Sequence, residues 1–64
     1  MTDTEKLRLI EAISAGKYDW LASYRATFRV PHGHGCPSGL TGSETATALI
    51  RKVLRGEHIV LVGR

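Results

Sequence analysis

Sixty-four residues with nine Lys and Arg against six Asp and Glu make one small basic domain, net charge +3. A chain this short buries only about 60% of the surface its unfolded form exposes, and with Cys36 as its only cysteine no internal disulfide can staple it. No apolar run is long enough to span a membrane, and the charged stretch 1–8 is not followed by the apolar core of a secretory signal, so a cytoplasmic location is expected.

In chain order, the first predicted element is a helix over 3–15. Thr2 with Glu5 three residues on has the form of a capping box, and Asp3 adds negative charge at the positive end of the helix dipole. Leu7, Leu9, Ile10 and Ile13 share one side, while Glu5, Arg8 and Glu11 share the other. Gly16 is a natural stop.

Residues 18–30 carry two patterns at once. Every even position is apolar (Tyr18, Trp20, Ala22, Tyr24, Ala26, Phe28, Val30), and every odd one except Leu21 is polar, which is strand alternation. Trp20, Leu21, Tyr24 and Phe28 also fall on one helical stripe that Asp19 could cap. Thirteen residues are too many for one ordinary strand, and Pro31 drives Val30 toward extended backbone. The reading adopted is a turn or short helical piece at 18–22, then a strand at about 23–30. On such a strand Arg25 and Arg29 would share the outer face.

A glycine-rich loop follows at 31–42, then the clearest pattern in the chain. Ala46, Leu49, Ile50, Val53 and Leu54 recur at i, i+3, i+4, i+7 and i+8, predicting an amphipathic helix over 43–55. Ser43 can cap it, or Thr41 with Glu44 as a capping box. Arg51, Lys52 and Arg55 crowd its last turns, where the dipole favours cations. Gly56 ends it, and the apolar run within 57–62 reads as a second strand. The expected fold is therefore a two-layer α+β domain spanning 1–64. Two strands make a poor sheet, so a third strand within 17–23 or a homodimer is expected to complete it.

Four constellations could carry chemistry. His32, His34 and Cys36, with His58, offer the imidazole and thiolate groups that Zn²⁺ prefers, although their i, i+2 spacing is not that of a zinc finger. Thr41, Gly42 and Ser43 lead into a helix N-terminus, where free N–H groups favour an anion. The stretch from Cys36 to Ser43 resembles the signature loop of cysteine-dependent phosphatases, but Gly42 stands where that family has its phosphate-binding arginine. Phe28-Arg29-Val30-Pro31-His32 and the helix from Ser43 resemble the HicA-type RNA-cleaving toxins, which implies an N-terminal helix, a basic sheet and an RNA-facing surface. That family's Gly-Ser-His segment has no counterpart at 18–28, so the cutting residue is missing. No carboxylate pair or Ser/His/Asp set is apparent, and no enzymatic activity is expected.

The function expected is that of a small basic nucleic-acid-binding or regulatory protein. Arg25, Arg29, Arg51, Lys52 and Arg55, with Thr41, Gly42 and Ser43, would contact the phosphates of DNA or RNA. The alternative is a protein-binding module, an inhibitor or adaptor docking on a larger protein through Tyr18, Trp20 and Leu21 and the glycine-rich loop, since aromatic anchors beside a basic rim suit an interface. No cofactor is expected beyond the candidate zinc.

Overall fold

The computed structural model describes residues 2–30 and 40–63. It contains three helices: α1 (Asp3–Ser14), α2 (Trp20–Phe28) and α3 (Gly42–Leu54). No strand occurs among the described residues. The α+β expectation is thus overturned, together with the strand at 23–30, the strand at 57–62 and the basic sheet implied by the toxin resemblance. The helices expected at 3–15 and 43–55 are present to within one residue at each end. Of the glycine-rich loop, residues 31–39 lie outside the described residues, and Gly42 already belongs to α3.

All three helices begin in one way. Thr2, Asp19 and Thr41 are extended N-caps whose side-chain oxygens accept from the backbone N–H three residues on, at Glu5, Ala22 and Glu44. Each satisfies a donor that the first turn leaves without a helical partner. Asp19 is what decides the ambiguous stretch. Once it caps the chain at Trp20, the helical stripe is realised and Tyr24 stacks on Phe28 one turn away, ring centroids 4.5 Å apart.

They also end in one way. Behind α1, Gly16 N–H donates to Ile13 C=O and Lys17 N–H to Ala12 C=O; behind α3, Gly56 N–H donates to Val53 C=O and Glu57 N–H to Lys52 C=O. These are Schellman turns, which need a left-handed residue at their corner. Gly16 (φ 69°) and Gly56 (φ 76°) supply it without steric cost. Behind α2, Val30 N–H reaches back to Arg25 C=O in the same i−5 sense. There the left-handed corner, φ 54°, is held by Arg29.

Ile13, Tyr18, Leu49, Val53 and Ile59 form the buried core, with Leu9, Ile10, Trp20, Phe28, Ala46, Ile50 and Leu61 packed around it. One cavity joins residues 13–16 of the α1 end to Gly42, Ser43 and Ala46 at the start of α3. Another joins the end of α2 to the end of α3. So α1 runs opposite to α3, while α2 runs alongside it in the same direction.

The apolar run that reads as a strand does pass through the core, but its backbone partner is a helix. Val62 C=O accepts from Asp19 N–H (2.7 Å), and Val62 N–H donates to Ser23 Oγ (2.8 Å). The Thr27 hydroxyl accepts from Val60 N–H at 2.9 Å and donates to Val60 C=O at 3.1 Å. Ser23 and Thr27 lie one turn apart, so α2 presents the hydroxyls along one edge of the extended segment. Side chains do the work that a neighbouring strand would do. Among the described residues there is no strand to pair, so the sheet that motivated a homodimer is not formed by them.

Candidate nucleic-acid interface

The basic residues gather where α2 and α3 both end. A groove of about 560 Å³ is lined there by Ala26, Thr27, Arg29, Lys52, Glu57, His58 and Val60. Three of those seven can be cationic, and Glu57 is the one acid among them.

Each side chain is placed by the turns just described. Arg29 is exposed at the left-handed corner after α2. A residue with a Cβ pays about 1–2 kcal/mol there, and the two equivalent corners carry glycine. Lys52 sits in the last turn of α3 with its Nζ 4.9 Å from the centroid of the Phe28 ring, a cation–π contact that draws the ammonium toward α2. Glu57 follows the Gly56 corner and bridges two cations: one carboxylate oxygen lies 3.6 Å from Lys52 Nζ and the other 3.6 Å from Arg55 Nη1. His58 is exposed on the extended segment immediately after it. The C-terminal ends of two helix dipoles converge on this groove, which lowers the mutual repulsion of its cations.

The other expected contact residues are dispersed. Arg51 is exposed on α3, one turn before Arg55. Arg25 is half-buried on α2 in another cavity, with Ala22, Ala26 and Val30. Thr41, Gly42 and Ser43 stand at the far end of α3; ten residues of rise put Gly42 about 15 Å from Lys52. Their helix start is already served, by the Thr41 hydroxyl on Glu44 N–H at 3.2 Å and by the Glu44 charge in the first turn.

Of the aromatic set, Tyr18 is buried, 4% exposed, within the core. That burial pushes its phenol pKa above the usual 10.0. Trp20 and Leu21 are half-buried, and the Trp20 indole lies against Gly42 beside a cavity of about 300 Å³. Among the zinc candidates, His32, His34 and Cys36 fall outside the described residues, and among the described ones no cluster of three metal-ligating side chains occurs. No described helix is long and apolar enough to cross a membrane.

Reading the chain as a sequence misses two members of the groove. Glu57 carries no motif, and His58 enters only as a spare zinc ligand. The signal that could have found Glu57 is its place one residue beyond a helix-stopping glycine, behind a basic last turn.

No protein-family model, curated protein or solved structure matches the chain.

Proposed function

We propose that this is a small nucleic-acid-binding protein that grips the phosphate backbone in the groove between the ends of α2 and α3. Arg29, Lys52 and Arg55 make the phosphate contacts, with His58 at the groove wall. The observation that carries this reading is Arg29. It holds a left-handed corner that the other two helix ends give to glycine, and it lines the same groove as Lys52 and His58. Strained backbone kept at one position points to a use for its side chain. Contacts of this kind fix position on a strand without reading bases.

The test is fluorescence anisotropy of labelled single- and double-stranded oligonucleotides, titrated at several salt concentrations. Three to four phosphate contacts give a log–log salt slope of about −2 to −3 on single strands. Arg29→Ala and Arg55→Ala should each weaken binding and make the slope shallower by about one contact. Binding that ignores salt, or that survives both substitutions unchanged, refutes the reading.

A further inference from the structure

Lys52, Arg55 and Glu57 form a closed ion cluster at the mouth of the groove, and its geometry says more than its net charge. The two oxygens of the Glu57 carboxylate reach two different cations at equal distance, 3.6 Å each. One anionic group spanning an ammonium and a guanidinium is the arrangement a phosphodiester makes with its two non-bridging oxygens. We propose that Lys52 and Arg55 form a phosphate cradle, and that in the free protein the Glu57 carboxylate occupies the phosphate position.

The backbone holds Glu57 there. It is the residue just past the Gly56 corner, and its N–H is bonded to Lys52 C=O. In a Schellman turn these two positions usually meet through an apolar contact; here they meet as an ion pair. The pair is easily opened. At 3.6 Å both contacts are longer than charge-assisted hydrogen bonds, and the Glu57 and Arg55 side chains are 45% and 69% exposed. Exposed pairs of this kind add little to stability. A phosphate, which can accept two hydrogen bonds from one guanidinium, displaces the carboxylate. Glu57 then acts as a built-in competitor that sets how strong an anion must be to enter.

This inference rests on the proposed phosphate-binding role and can fail apart from it. The experiment compares wild type with Glu57→Gln and with Glu11→Gln, which changes the net charge equally but lies on an exposed face of α1. Glu57→Gln should tighten oligonucleotide binding about 3- to 10-fold at low salt, a near-contact charge effect. It should also steepen the salt slope by about one to two contacts on single strands, about 0.7–1.4. Compared near 0.15 M salt, where the Debye length is about 8 Å, Glu11→Gln should change affinity by less than about 2-fold, since Glu11 lies toward the end of α1 that meets the start of α3, away from the cradle at the other end of α3. Equal effects from both substitutions overturn the cradle while leaving nucleic-acid binding standing. Loss of binding in Glu57→Gln overturns it too. Absence of binding by wild type and by Glu57→Gln alike, at low salt, overturns both.

Discussion

The extended segment at 57–63 is held by two hydroxyls of α2, and replacing one of them measures how much of the fold depends on that strap. Thr27→Val keeps the volume and the branched Cβ but removes the oxygen that serves both polar groups of Val60, at 2.9 and 3.1 Å. Each such bond is worth about 0.5–1.5 kcal/mol net, and a donor or acceptor left without a partner in partly buried surroundings costs about 1–3 kcal/mol. The expected loss is about 2 kcal/mol. For a domain of this size, that lowers Tm by about 8–16 °C. The assay is urea and thermal unfolding followed by far-ultraviolet circular dichroism, with Thr47→Val as control. Thr47 also bonds a carbonyl, that of Ser43 at 3.1 Å, but on an exposed face of α3, so its loss should stay within about 0.5 kcal/mol. Equal effects from the two substitutions would mean that water replaces the Thr27 hydroxyl freely and that the strap does not hold the segment.

Other consequences are equally open to measurement. Leu49 is fully buried at the centre of the core, so Leu49→Ala should cost about 2–5 kcal/mol, enough to unfold much of a marginal domain; a cooperative melt near wild type would contradict the packing. Arg29→Gly should separate stability from binding: relief of the left-handed corner (φ 54°) raises stability by about 0.5–1 kcal/mol, while oligonucleotide affinity falls. Stability and affinity moving together would refute it. Gly56→Ala meets nothing within 4 Å but must adopt φ 76°, costing about 1 kcal/mol, whereas Gly63→Ala, in open space without that constraint, should be neutral by the same melt. Burial raises the Tyr18 pKa, so the phenol ionises more readily in the unfolded chain. Its contribution to stability is intact below about pH 10 and declines as pH rises from there through the folded value. The tyrosinate absorbance that Tyr18→Phe removes should rise at higher pH than that of a free tyrosine, and its appearance in the ordinary tyrosine range would show Tyr18 to be wet.

How far the sequence alone reaches can be judged element by element. α1 and α3 were legible because apolar spacing, a polar cap with an acid in the first turn and a glycine corner agreed, although of the two caps offered for α3 it is Thr41, not Ser43, that caps it. α2 was not, because its alternation and its helical stripe fit the same residues. The arbiter was local: Asp19 bonding Ala22 N–H at 3.1 Å. Pro31 disfavours helical backbone at Val30, which reads as favouring a strand at 23–30; α2 instead runs to Phe28, and the use of Arg29 to turn the corner was not legible. The apolar run Ile59–Val62 reads as part of a buried strand; it does pack on the core, through Ile59 and Leu61, but it is not a strand. Its lack of a strand partner could not be inferred, because Ser23 and Thr27 become backbone partners only once α2 is a helix. The site followed the fold: residues 25 and 29 share a face on a strand and, at i, i+4, would share one on a helix, but α2 ends at Phe28 and the left-handed corner at Arg29 leaves Arg29 with Lys52 and Arg25 in another cavity.

The central claim is that nucleic acid enters the groove where α2 and α3 end. Its most direct test is an amide NMR titration of the isotope-labelled protein with a short single-stranded oligonucleotide. The account predicts that the largest shifts fall on Arg29, Lys52, Arg55, Glu57 and His58, and that Trp20 and Gly42 at the other end of α3 stay near their free positions. Shifts concentrated around Trp20 and Gly42, or no shifts at low salt, would contradict it.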